Sequence, residues 1–276
     1  MLVPLAGGGQ ETLLSEVGFV LLPFFSTRDA CALRLVCREF LAAVSEHPWE
    51  DRRTVILGSI AAWRACFPHA RCANVQRYDW GDGPDKRFAP VVDADFVHFE
   101  GLRELYMAHC RDVTDAAFVH LRGIHTLDMT WCSSITDAAF AHLAGVQRLC
   151  MWDCNQATIT DAAISHLRGI QVLNMSNCTQ LTDAAFVHLR GIHTLYMWHC
   201  DQRAITDAAF VHLRGIHTLV MDWCRQATIT GASFSCLKGV FLIRMSSCSD
   251  DAIAVAQSLG LPVRTQRGAY GAFPCD

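Results

Sequence analysis

The stretch TDAAFVHLRGIHTL stands at 114–127 and returns letter for letter at 182–195 and 206–219, with near-copies at 136–149 and 160–173. Identity stops at the following residue, which is Asp128, Tyr196 or Val220. A frame is kept, and what comes straight after it varies. The letters say what the frame builds. Thr136 or Asp137 can cap a short helix, with Phe140 and Leu143 facing a core at i, i+3 spacing. The aspartates Asp115, Asp137, Asp161, Asp183 and Asp207 suit a helix start. Arg122–Gly123 and Arg190–Gly191 then suit the negative end of a helix and a left-handed stop. In IHTLDM, Leu127 and Met129 alternate with Thr126, Asp128 and Thr130, which predicts a short strand with the first pair inward and the others outward.

Seven of the 14 cysteines mark the same place in every unit: Cys110, Cys132, Cys154, Cys178, Cys200, Cys224 and Cys248, spaced 22, 22, 24, 22, 24 and 24 residues apart. Repetition rather than disulfide bridging explains them. Aligned on that cysteine the units read LRELYMAHC, IHTLDMTWC, VQRLCMWDC, IQVLNMSNC, IHTLYMWHC, IHTLVMDWC and VFLIRMSSC. Periods of 20 to 29 residues with apolar first, fourth and sixth places mark a solenoid. The chain resembles the cysteine-containing leucine-rich repeats, with methionine (Met107 to Met245) in the sixth place. That resemblance covers 91–260 and implies an α/β solenoid, parallel strands on the concave face and short helices on the convex face. VVDADFVHFEG at 91–101 reads as a half-repeat, ANVQRYDW at 73–80 as an eroded strand and GDGPDKRFAP between them as a loop. At the far end SDDAIAVAQSLG keeps the helix, and 261–276 reads as a cap with a last strand and a loose end.

Residues 10–53 have another texture, helical periodicity broken by STRD, with Ser26 or Thr27 capping a helix from about Asp29 through Val44. This segment resembles an F-box. Leu13, Glu16, Leu21, Phe25, Asp29, Leu33, Val36, Cys37, Arg38, Pro48 and Trp49 carry the match; Leu14 stands where that family has proline and Phe40 where it usually has tryptophan. The resemblance implies a three-helix module docking to a Skp-type adaptor and a cullin through Leu13, Leu14, Leu21, Phe25, Val36, Cys37 and Phe40. The repeats would then hold a protein substrate for ubiquitination. Residues 54–90 form a linker and degenerate repeat, with Trp63 and Phe67 packing at the junction.

The varied positions are the candidate site. Four of the seven tryptophans fall there, and Trp and Tyr dominate binding hot spots. Tyr106, Asp128, Trp131, Trp152, Tyr196, Trp198, Asp222 and Trp223 are the residues expected to bind substrate. They form two patches, Trp131 with Trp152 and Tyr196 with Trp198 and Trp223, separated by the small polar unit Asn174, Ser176 and Asn177. The alternative for Trp131 and Trp223 is packing against loops.

Other chemistry finds little footing. A net charge of −4 gives no strong field for nucleic acid or an anionic membrane. The longest apolar run, Val17 to Phe25, is far short of the roughly 20 residues a bilayer span needs. The start lacks a secretory pattern, so the expected compartment is cytoplasmic or nuclear. The cysteine column predicts buried thiols bonded to backbone, in a line rather than a tetrahedron. His98, His120, His142, His166, His188 and His212 form a convex column with no acidic partner recurring beside it. GGG at 7–9 lacks the Gly-Lys of a phosphate loop. No metal, cofactor or catalytic constellation is expected. The rival readings are a ligase-independent binding scaffold and, more distantly, a metal or redox enzyme built on the Cys and His columns.

Overall fold

The computed structural model describes residues 22–77 and 89–266. Nine strands, β1 (Cys72–Asn74), β2 (Glu104–Tyr106), β3 (Thr126–Asp128), β4 (Arg148–Cys150), β5 (Val172–Asn174), β6 (Thr194–Tyr196), β7 (Thr218–Val220), β8 (Leu242–Arg244) and β9 (Val263–Arg264), form one parallel sheet in chain order. The register is set by the central residue of each strand. Leu105, Leu127, Leu149, Leu173, Leu195, Leu219 and Ile243 pair directly from strand to strand and, with the methionines two residues on, are fully buried. A slip of one residue would turn this apolar row outward. The eroded strand expected at 73–80 is ordered as β1 only at its start, and the last strand expected in the tail is β9; residues 78–88, with most of the expected loop, and 267–276 lie outside the described residues.

The convex side carries the expected short helices, some of them 3-10. They are α-helical in Asp137–Phe140, Asp161–Ser165, Asp183–Phe186 and Asp207–Phe210, the third continuing into a 3-10 turn at Val187–Leu189, and 3-10 in Asp93–Phe99, Asp115–Leu121 and Phe234–Leu237. A unit of 22 or 24 residues must return to the next strand at once, so there is no room to propagate a helix. Its phenylalanine still drives inward, and Phe96, Phe118, Phe140, Phe186, Phe210 and Phe234 are fully buried. Arg122 and Arg190 are extended rather than in a last helical turn (ψ 129° in each). Their guanidiniums reach into the following unit, toward Nδ1 of His142 and of His212, at 3.4 Å in each case.

The repeated aspartates do more than start helices. The Asp115 carboxylate accepts both the backbone N–H (2.7 Å) and the hydroxyl (2.6 Å) of Thr136, one unit later. The pattern recurs from Asp137 to Thr160, Asp161 to Thr182, Asp183 to Thr206 and Asp207 to Thr230. Each threonine oxygen in turn accepts the N–H two residues on, as with Thr136 and Ala138. The cap and the link between units are therefore one charge-assisted device. A glutamine column, unremarked in the sequence, adds a second link: Gln156 donates to the carbonyls of Cys132 and Ile135, and Gln180, Gln202 and Gln226 repeat the bond to the preceding cysteine.

The helix expected from Asp29 through Val44 is two, α1 (Thr27–Leu33) and α2 (Arg38–Glu46), with Cys37 extended between them. In one helix Ala30 and Val44 would stand about 21 Å apart along the axis. The break lets both join a small core with Leu22, Ala43, Trp49, Phe67 and Ala70. Ser26 caps α1 and forms a capping box with Asp29. Thr27 donates its N–H and hydroxyl to Asp51, at 2.7 and 2.9 Å. Phe67 and Ala70 come from the segment read as linker, so this core crosses the boundary at 53. Trp63, on α3 (Ile60–Cys66), packs against both this core and the solenoid core, as expected of the junction.

Candidate functional site

At the end of each strand the chain makes the same turn. The residue before the column cysteine has a left-handed backbone in all seven units, with φ from 55° to 66°: His109, Trp131, Asp153, Asn177, His199, Trp223 and Ser247. The N–H of the next residue, the cysteine, returns to the methionine carbonyl, as Cys132 does to Met129 at 3.1 Å. This is a type II turn, whose third place favours glycine or asparagine. A bulky side chain there is strained, yet Trp131 and Trp223 occupy it, and the turn aims both indoles along the rim. The cysteine points the other way. Its thiol donates to the backbone carbonyl one unit back, from Cys132 to Met107, Cys154 to Met129 and Cys178 to Met151 at 3.4, 3.1 and 3.2 Å. Burial pushes the thiols of Cys110 and Cys200 up to about 12 and that of Cys178 well above its ordinary value. A sulfur held protonated is a structural donor, not a reactive thiolate.

The outward side chains are already linked. Asp128 accepts the Thr130 N–H and hydroxyl at 3.0 and 2.6 Å and the Gln76 amide at 3.2 Å. Asp222 accepts the Ser246 N–H at 2.7 Å and pairs with Arg244 at 2.8 Å. Tyr106 is buried, and its hydroxyl donates to Glu104 at 3.2 Å. These three expected contacts hold the face together from inside it. Trp131, Trp152, Tyr196, Trp198 and Trp223 remain partly exposed.

The two expected patches are joined. Trp152 and Trp198, two units apart, approach to 6.3 Å between ring centres. Ser176 of the intervening unit has a small side chain, and its hydroxyl accepts the backbone N–H of Trp198 at 3.0 Å. The gap expected at Asn174, Ser176 and Asn177 is therefore closed. Asn174 and Ser176 are buried, Asn174 accepts the Ser176 N–H at 3.0 Å and Asn177 donates to Asp153 at 2.8 Å. From Trp198 the surface continues to His199 at 4.5 Å and Trp223 at 5.1 Å, where the Arg225 guanidinium lies 4.2 Å from the ring centre. At the other end Trp131 stacks on His109 at 5.4 Å, with Arg111 5.8 Å away. The two arginines escaped sequence reading, although their column, one place after the cysteine, varies like the rim.

Of the expected adaptor contacts, Leu13, Leu14 and Leu21 lie outside the described residues. Cys37 and Phe40 are half-buried. Phe25 and Val36 are exposed and are joined by Phe24, Leu35 and Leu41; Leu35 is 88% and Phe24 85% exposed. A cleft of about 710 Å³ runs beside Phe24, Phe25, Trp49 and Asp51. On the convex side His120 pairs with Glu100 at 2.6 Å, an acidic partner that the sequence did not suggest. Among the described residues no three His, Cys, Asp or Glu side chains are placed to hold a metal, and no helix is long and apolar enough to cross a membrane.

Neither a protein-family model nor a curated protein matches the sequence. Solved structures do. The chain is similar to TLR13 in its complex with ssRNA13, with a TM-score of 0.54 and 16% identity over 75% of this chain and 29% of that one. Weaker likenesses are to internalin C2 of Listeria monocytogenes (TM-score 0.46, 18% identity, 67% of this chain, 84% of that one) and to a chain of the yeast Rad7 and Elc1 complex (0.41, 17%, 64% and 44%). The chain spans under a third of the TLR13 chain and under half of the yeast one. With the nine-stranded parallel sheet, the likeness to the TLR13 chain defines the fold as an α/β leucine-rich-repeat solenoid.

Proposed function

We propose that this chain is a substrate receptor of a cullin-type ubiquitin ligase, without catalytic chemistry of its own, acting in the cytoplasm or nucleus. The helical module docks to a Skp-type adaptor, and the solenoid holds a protein substrate along its aromatic rim. One observation carries the reading: a repeat face lined by partly exposed tryptophans shares a chain with a small helical module that leaves Phe24, Leu35 and Val36 in solvent. An exposed apolar patch of that kind suits a partner protein, and tryptophan-rich faces suit binding hot spots. Leu14, where the resemblance expects proline, keeps a second reading open, a scaffold that binds protein without recruiting a ligase.

Copurification of the full chain with a Skp-type adaptor and cullin separates the two. The adaptor should be retained by the native chain and by Trp198→Ala, and lost on Leu35→Asp with Val36→Asp. An adaptor absent from the native chain leaves the scaffold. Leu14→Pro should bind as well or better, and a clear loss there would show the F-box alignment to be out of register.

A further inference from the structure

The aromatic surface ends on a guanidinium, and that end has a chemistry of its own. Trp223 carries Arg225 at 4.2 Å and His199 at 5.1 Å. The same three residue types meet at Trp131. A guanidinium laid on an indole keeps its in-plane N–H groups directed outward, in the fork that matches a carboxylate. The face pairs other arginines internally: Arg244 with Asp222 at 2.8 Å and Arg52 with Glu104 at 2.6 Å. Arg225 is exposed, and no ion pair within the described residues involves it. Asp201 holds the same place one unit earlier and is exposed, yet Arg225 lies on Trp223 instead.

We infer that Arg225 is the specificity contact of this face and that it selects an acidic side chain, aspartate or glutamate, in an extended protein segment whose large apolar residue sits against Trp152 and Trp198. The inference rests on the reading that this face holds the protein substrate. The geometry sets the spacing. Ring-to-ring steps of 4.5, 5.1 and 4.2 Å cap the path from Trp198 to Arg225 at about 14 Å, which about four extended residues span at ~3.3 Å each. The acidic residue therefore falls within four positions of the apolar anchor. Arg111, about five strand spacings or ~24 Å from Arg225, offers a second and weaker fork.

The test is an array of 15-residue peptides with a central leucine or phenylalanine and one further residue, Asp or Glu, Asn or Gln, Lys or Arg, at each offset from one to seven, probed with the full-length chain. Acidic peptides at offsets up to four should be retained at least about tenfold more than their neutral partners. Arg225→Gln should abolish that difference and keep the preference for the apolar anchor. Arg225→Lys keeps the charge without the flat fork and should lie between. Trp198→Ala should lose the anchor preference, and melting temperatures of all three variants should match the native chain. Basic or neutral peptides retained as well as acidic ones, an acidic preference unchanged in Arg225→Gln, no retention at all, or retention of a poly(U) oligoribonucleotide in place of peptides would each overturn the inference. Adaptor copurification, run alongside, reports separately on the ligase reading: it can fail while acidic selection holds, and acidic selection can fail while it holds.

Discussion

Replacing Gly231 by the aspartate that its repeat position calls for should weaken the protein. Gly231 stands where Asp115, Asp137, Asp161, Asp183 and Asp207 stand in earlier units, so restoring the pattern looks harmless. The structure gives two costs. Its φ is +88°, and a Cβ there would meet Cβ and Cγ1 of Val255 at 2.9 Å and Cδ2 of Phe234 at 3.3 Å. Val255 belongs to the C-terminal helix Asp250–Ser258, which docks on this spot. A left-handed backbone costs a non-glycine residue about 1–2 kcal/mol, and overpacking a closed site about 1–3. Gly231→Ala, the cleaner probe, should lose about 2–4 kcal/mol in urea unfolding, and Gly231→Asp at least as much. Gly239→Ala isolates the backbone cost, since Gly239 has φ +91° with nothing within 4 Å of its Cβ, and should lose only about 1–2 kcal/mol. If Gly231→Ala and Gly239→Ala agree within about 0.5 kcal/mol, the contact with Val255 is not what glycine serves here.

Asp161→Ala removes the acceptor for both the N–H and the hydroxyl of Thr182 and should lower stability by about 2–3 kcal/mol, with Asn recovering part of it, as read from urea midpoints. Cys178→Ala loses the bond to Met151 and a little packing, about 1–2 kcal/mol, with metal content measured before and after and unchanged. Trp152→Ala and Trp198→Ala should each weaken substrate capture at least about tenfold, while the convex changes His120→Ala and His188→Ala do little; silent tryptophans with decisive histidines would move the site to the convex side. Asp51 titrates below an ordinary carboxylate: burial alone would raise it, but the bonds from Thr27 and Thr54 outweigh burial. Its contribution is thus complete above the unfolded value near ~3.9 and lost as pH falls through the folded value. Asp51→Asn should flatten the acid limb of the stability profile.

The sheet was legible because its signal lies within one unit. Alternation around Leu127 and Met129, the cysteine spacing and the glycine stop each need only a few neighbouring letters. The cysteine column was read correctly as buried donors for the same reason. What escaped crosses units. Asp161 and Thr182 look like two separate cap residues until the fold sets them 2.5 Å apart, and Arg122 looks like a helix terminator until it extends to His142. At the site, the tryptophans were found from their type and variability. Their grouping was not, because nothing in the letters says that Trp152 and Trp198 approach each other across the unit that holds Ser176. The single helix expected through Val44 failed because periodicity continues across Leu35 and Val36, whereas the small core requires the chain to fold back there.

The carboxylate of each clamp reaches forward, to the threonine of the unit that follows, and this direction has a consequence for how such a chain can change. A junction between any two units is chemically the same junction, so gaining or losing a whole unit of 22 or 24 residues leaves every remaining clamp intact. The adjacent verbatim copies at 182–195 and 206–219 suit such an event. The downstream end is closed to it: at Gly231 the aspartate is gone and the helix carrying Val255 sits in its place, so growth there would have to occur upstream of that cap. Each such event would carry a new pair of rim residues into register beside the old ones, altering what the rim presents while the scaffold beneath it needs no redesign.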